Sequence, residues 1–140
     1  MATFELHPRL LADCHVFGRF GPCHLLLQRN ALLPWYILVP EVPVTELHLV
    51  QQPLRNRIRD AVDALAALIK SHHACPHTNV AAIGNMVPQL HIHVIGRHPE
   101  DPCWPGVVWG NLPDGPEWSH DALAAIRRTL SNEGFMEADQ

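Results

Sequence analysis

The chain is short of charge, of tyrosine and of long apolar runs. Of its 140 residues 17% are charged, with 10 Lys and Arg against 14 Asp and Glu, a formal net charge of −4. That balance excludes a broad electrostatic grip on nucleic acid and leaves room for a small phosphate pocket. No apolar run approaches the roughly 20 residues that span a bilayer. The opening Met1-Ala2-Thr3-Phe4-Glu5-Leu6-His7 has neither a basic segment nor an apolar stretch of the secretory kind. A soluble, cytoplasmic protein with no membrane partner is expected. No Ser/Gly linker, low-complexity tract or repeat at a period of about 20–50 residues breaks the chain, which reads as one domain over residues 1–140. The four cysteines, at 14, 23, 75 and 103, form no Cys-x-x-Cys pair. A chain of this length buries a core without staples, so reduced and mostly buried thiols are expected.

What the chain does hold is apolar residues at 47%, together with 11 His, 13 Pro and 4 Trp. Residues 15–20 and 23–28 flank Gly21-Pro22, the pattern of a hairpin around a turn dipeptide. Trp35–Val39, bounded by Pro34 and Pro40, reads as a short strand stopped at both ends by residues that cannot donate to a ladder. Over 53–71, Leu54, Ile58, Ala61, Val62, Leu65, Leu68 and Ile69 fall on one helical stripe, and Arg55, Arg59, Asp63 and Lys70 off it. Pro53 suits the first helical position. Strands at Asn79–Ile83 and Gln89–Gly96 follow. Then come a proline-dense arm over 99–116 and a helix from about Ala122 to Leu130, with Ser119 as its cap and Gly134 past its end. Grouped rather than alternating strands give an α+β fold with a largely antiparallel sheet.

The chemistry concentrates in Gly84-Asn-Met-Val-Pro-Gln-Leu-His-Ile-His-Val-Ile-Gly-Arg97. With period-two alternation, Gln89, His91 and His93 share one face and Leu90, Ile92 and Val94 the other. Same-face neighbours sit roughly 7 Å apart, so two imidazoles can engage one phosphate. A neutral imidazole is a nucleophile toward phosphorus, and a second beside it can donate to an oxygen or to the leaving group. Gly84 and Asn85 can add backbone N–H groups and an amide. Spacing alone leaves three readings open: phosphate chemistry, a zinc site of His-x-His type, or a strand that merely carries histidine.

The segment resembles the signature of the histidine triad (HIT) superfamily, His-φ-His-φ-His-φ-φ with φ apolar. Gln89 stands at the first histidine, His91 at the central one and His93 at the last, with Gly84, Asn85 and Val87 matching the residues that precede them. Pro34-Trp35-Tyr36-Ile37-Leu38-Val39-Pro40 is similar to the family's Pro-Gly-His-φ-φ-φ-φ-Pro strand. Trp104–Gly110 is similar to an arm found in small bacterial members. The resemblance covers about residues 15–110. It implies a HIT-like fold with a roughly five-stranded antiparallel sheet, one long helix and a C-terminal helix, pairing as a homodimer. It further implies hydrolysis or transfer at the α-phosphorus of a nucleoside phosphate, a small-molecule nucleotide substrate, and no cofactor or metal for the histidine step.

On matching positions, His91 attacks phosphorus to give a nucleotidyl-imidazole, and His93 hydrogen-bonds the phosphate or protonates the departing group. Asn85 holds a phosphate oxygen. A residue of the Gln28–Asn30 turn, with Asn30 preferred, contacts ribose. Gln89 cannot change protonation and is expected to orient rather than attack. Trp35, where many members carry another histidine, is expected to wall the base pocket. Two rivals follow: a nucleotide-binding module without turnover, suggested by Gln89 and Trp35, and a zinc-binding protein.

The remaining clusters have plainer readings. His72-His73-Ala74-Cys75-Pro76-His77 falls at a helix end, where histidine is at home, and no second cluster completes a tetrahedral site. Cys14-His15 and Cys23-His24 straddle the hairpin and could face one another. Trp104 and Trp109 read as packing residues. Arg55, Arg57 and Arg59, interleaved with Asp60 and Asp63, read as a solvated helix face.

Overall fold

The computed structural model describes residues 3–133 and 135–137. A short helix α1 (Pro8–Asp13) leads into the hairpin β1 (Cys14–Phe20) and β2 (Cys23–Gln28), then β3 (Trp35–Pro40). The long helix α2 (Leu54–His72) crosses to β4 (His77–Ala81) and β5 (Ile92–Arg97). An irregular arm leads to α3 (His120–Leu130), and β6 (Phe135–Glu137) closes the order. The sheet runs β4-β5-β3-β2-β1-β6 with every pair antiparallel. The α+β expectation of about five strands therefore holds, with three residues of β6 added at one edge.

Local chemistry accounts for most of these boundaries. Gly21 takes φ +59°, a left-handed turn geometry open to glycine, so β1 and β2 join through two residues. His7 accepts from the Arg9 backbone N–H at 3.1 Å, and Pro8 opens α1 where its missing N–H costs nothing. Pro53 immediately precedes the α2 helical residues. Ser119 caps α3, its hydroxyl accepting from the Ala122 N–H at 3.0 Å. Gly134 lies outside the described residues.

The sheet separates two apolar layers. On one face α2 buries Ile58, Ala61, Leu65, Leu68 and Ile69, and α3 buries Ile126 and Leu130, against Leu25, Leu27, Tyr36, Leu38, Ile92 and Val94. On the other face Leu26, Trp35, Ile37, Val39 and Ile95 meet Leu10 from α1 and Val87 and Val108 from the loops. Period-two alternation along β3 and β5 assigns each side chain to its layer. At Gly96 no side chain fits: a Cβ there would lie 2.7 Å from Cys75 Sγ and Pro34 Cγ. No helix among the described residues is long and apolar enough to cross a membrane.

Two expected strands begin elsewhere. The fourth runs over His77–Ala81 rather than Asn79–Ile83, in register from His77 opposite Arg97 to Ala81 opposite His93. The fifth starts at Ile92 rather than Gln89, because residues 89–91 carry no ladder pairing. Cys14 and Cys23 sit at opposite ends of the hairpin, opposite Gln28 and Phe20 respectively, so the two Cys-His pairs do not meet.

Candidate active site

The second layer opens into a pocket of about 220 Å³. Its floor is β3 and β5: Trp35, Ile37 and His93, with His91 just ahead of the strand. Helix α1 supplies Arg9, Leu10 and Asp13 to the wall, and β1 and β2 supply Cys14 and Gln28. The loop before β5 adds Ile83, Met86 and Val87, and the arm adds Trp109.

His91 and His93 are both buried, 5% and 7% exposed, with ring centroids 4.9 Å apart and planes at 70°. Each ring has its tautomer fixed by a partner with a single role. His91 Nδ1 lies 2.7 Å from the Gln89 carbonyl oxygen, which can only accept. In the neutral ring Nδ1 therefore carries the proton and Nε2 the lone pair. His93 Nδ1 accepts at 2.9 Å from the indole N–H of Trp35, which can only donate, so its proton sits on Nε2. Burial, reinforced by His91, pushes the His93 pKa down to about 4. The pair is thus one lone-pair donor beside one neutral N–H donor.

Trp35 and Trp109 meet edge to face at 5.8 Å, and both meet His93 in the same manner, at 5.7 and 5.4 Å. Trp109 Nε1 is buried and finds no hydrogen-bond partner among the described residues. Cys14 is held protonated, burial and the neighbouring Asp13 pushing its pKa up to about 12 against Arg29. It serves as wall rather than nucleophile.

The other expected site residues divide. Gly84 lines a small crevice beside His91 with Thr45 and Glu46, while Asn85 is exposed on the same loop. Asn30 does not line the pocket. Its amide donates to the Pro113 carbonyl at 2.9 Å and accepts from the Leu32 N–H at 3.0 Å, which pins the arm to the β2–β3 turn. Gln28, from the same turn, takes the pocket position. Gln89 also points away from the imidazole pair. Lying before the ladder, it escapes the pleat, and its amide accepts from the His7 N–H and donates to the Glu5 carbonyl, both at 2.9 Å.

The clustered histidines at the end of α2 are engaged in packing. His73 Nε2 lies 2.8 Å from the Tyr36 hydroxyl and His72 Nδ1 2.8 Å from the Thr129 hydroxyl, tying α2 to β3 and α3. Among the described residues no three His, Cys, Asp or Glu side chains gather as a metal site. Arg9, Asp13 and Met86 are pocket residues that the pattern along the chain did not single out, and Trp109, expected as a packing residue, also lines the pocket. Pro8, a residue suited to a first helical position, is the one local signal for a helix near residue 9, and nothing local places that helix over the sheet.

An antiparallel α+β sheet presenting His-x-His at the floor of an apolar pocket defines the class of protein. The chain belongs to the HIT domain family, whose model matches residues 9–100. The superfamily is of nucleotide-hydrolase and nucleotide-transferase type. Among solved structures, a histidine triad protein from Marinobacter aquaeolei VT8 is 37% identical, with a TM-score of 0.86 over 95% of this chain and 97% of that one. A histidine triad protein from Bradyrhizobium japonicum is 28% identical, TM-score 0.87, over 96% of this chain and 100% of that one. A HIT protein from Sinorhizobium meliloti 1021 is 30% identical, TM-score 0.86, over 94% and 97%. The comparison with curated proteins gave no match.

Proposed function

We propose that the protein hydrolyses or transfers nucleotidyl groups, with His91 as nucleophile at the α-phosphorus of a nucleoside phosphate derivative. The observation that carries this reading is the His91 Nδ1–H donated to the Gln89 carbonyl, which leaves Nε2 free to bond to phosphorus. The Nε2 lone pair forms the P–N bond while the bond to the leaving group breaks. The leaving group departs with the electron pair and takes a proton from water. A second water then attacks phosphorus, releasing the nucleotide and restoring the imidazole. While the ring is phosphorylated and cationic, its Nδ1–H bond to the carbonyl becomes charge-assisted.

His93 acts as a hydrogen-bond donor to a phosphoryl oxygen through Nε2–H. Proton donation to the leaving group is disfavoured, because its Nδ1 is committed to Trp35 and burial keeps the ring neutral. Gly84 borders the crevice beside His91, the exposed Asn85 next to it on the loop is assigned as a further donor, and Gln28 replaces Asn30 as the contact to ribose. The indoles of Trp35 and Trp109 receive the base.

A homodimer fits the exposed edge. β4 ends the sheet, Val80 is 50% exposed, and Leu47, Val62, Val80 and Ile92 line the adjoining groove. Four free cysteines and a nucleotide substrate suit a cytoplasmic setting.

The test is incubation with a nucleoside phosphoramidate, an adenylyl-amine ester and a dinucleoside polyphosphate, comparing the parent chain with His91→Ala. Turnover by the parent and a loss of at least about 1,000-fold in the variant are expected, together with a nucleotidylated His91 trapped by rapid quench into alkaline denaturant, where the P–N bond survives. Equal behaviour of the two chains, with nucleotides still bound, would make the protein a binding module.

A further inference from the structure

The N-terminal arm is an element the proposed chemistry has not used. Residues 3–13 lie over the second layer of the core, with Phe4 stacked on His24 at 5.2 Å and Leu10 buried. Beside the arm an open groove of about 590 Å³, lined by Leu6, His7, Leu11 and Gln89 among others, leaves part of it unsupported. Its two hydrogen bonds from the Gln89 amide are therefore principal fastenings. Gln89 also supplies the carbonyl that holds the His91 tautomer. One residue thus joins the arm, by its side chain, to the nucleophile, by its backbone.

The arm also settles the charge of the pocket. An anion needs a cation or an array of donors when it leaves water. His93 is held neutral, and Cys14 stays a thiol. Arg9 is the permanent cation among the residues lining this cavity. Its guanidinium makes no hydrogen bond or ion pair among the described residues, not even with Asp13 one helical turn on, so it meets a ligand without first giving up a partner.

We infer that α1 is a substrate-recognition cap in which Arg9 binds the phosphate of the nucleotide, and that Gln89 is the positioning residue latching this cap to His91. The inference rests on the nucleotide reading above and deepens it. Guanidinium and phosphate match as a bidentate pair. Gln89 acts through the arm and through its carbonyl, and touches no substrate.

The probes are adenosine, AMP and ADP, titrated by calorimetry into the parent chain, Arg9→Met, Gln89→Ala and the double variant. Arg128→Met, on the exposed face of α3, controls for net charge. Arg9→Met is expected to lose about 10-fold or more in affinity for AMP and ADP, the loss being confined to the phosphorylated ligands, while Arg128→Met matches the parent. Gln89→Ala is expected to speed amide exchange across residues 3–13 while α2 keeps its protection, and to lose AMP affinity to a similar degree. The double variant should bind AMP no more weakly than Arg9→Met, since latch and cation act as one device. Unchanged AMP affinity in Arg9→Met overturns the role of Arg9. Additive losses, or unaltered exchange in the arm, overturn the latch. If the parent turns over nucleotides through His91 and these results still come out negative, the cap falls and the functional reading stands. If the parent binds neither AMP nor ADP, both fall.

Discussion

A histidine does different work depending on which of its two nitrogens is occupied, and this pocket holds one of each kind. His91 is fixed by a carbonyl and His93 by an indole, so neither ring has to select its tautomer when substrate arrives. Trp35 is thereby more than a wall of the pocket. Trp35→Phe keeps the apolar contact and removes the single donor to His93 Nδ1, which frees the ring to flip its proton. Its kcat is expected to fall about 10-fold with KM little changed, and nitrogen NMR of the ring should show mixed tautomers for His93. Trp35→His, which restores an N–H, should recover part of the rate. A Trp35→Phe variant with the parent's kcat and a single His93 tautomer would remove the tautomer lock.

The elements around the pocket are joined by a buried polar knot. Arg97, at the end of β5 and 2% exposed, makes paired bonds to Asp101 at 2.7 and 3.1 Å. It also reaches Asn79 on β4 and the Gly106 carbonyl in the arm, each at 2.8 Å. Burial raises the Asp101 pKa, but Arg97 and the backbone N–H groups of Cys103 and His98 outweigh it and bring it down to about 2. This knot folds the arm back so that Val108 and Trp109 close the pocket wall. Asp101→Asn leaves a buried guanidinium without its counter-charge and is expected to cost about 3 kcal/mol in urea unfolding. Where α2 and β3 press on β5, Gly96→Ala drives a methyl into Cys75, Pro34 and Ile69. A loss of about 2 kcal/mol is expected from that overpacking. Variants as stable as the parent would show that the arm and the helix end yield freely.

Across the whole molecule, the buried His93 and the half-buried His73 make stability sensitive to acid. His73, like His93, is pushed down to about 4, in its case by burial and by His72. Between the ordinary histidine pKa near 6.5 and about 4, the unfolded chain takes up protons that the folded chain refuses. Stability is therefore complete above pH 6.5 and falls as the pH drops toward 4, each ring contributing up to about 1.4 kcal/mol per pH unit. Asp101 adds its own loss below pH 4, as its carboxylate is protonated on the way down to about 2. His73→Gln keeps a partner for the Tyr36 hydroxyl and should reduce the slope of unfolding free energy between pH 6.5 and 4.5, read from urea transitions, His93 and His72 carrying what is left. An unchanged slope would mean that His73 titrates alike in both states.

The sequence by itself determined the α+β class, the hairpin, the long helix with its buried stripe and the pairing of His91 with His93. Each of these is written in local periodicity or in turn and cap chemistry, and the two-residue spacing keeps the imidazole centroids 4.9 Å apart even though His91 lies just ahead of the ladder. Only the tertiary structure decided which neighbours complete the pocket. Gln89 lies ahead of the ladder, so its direction is set by the arm from residues 3–13 rather than by the pleat, and Asn30 is drawn to Pro113 across more than 80 residues. Arg9, Asp13 and Trp109 reach the site through contacts between segments distant along the chain, and side-chain spacing carries no record of such contacts.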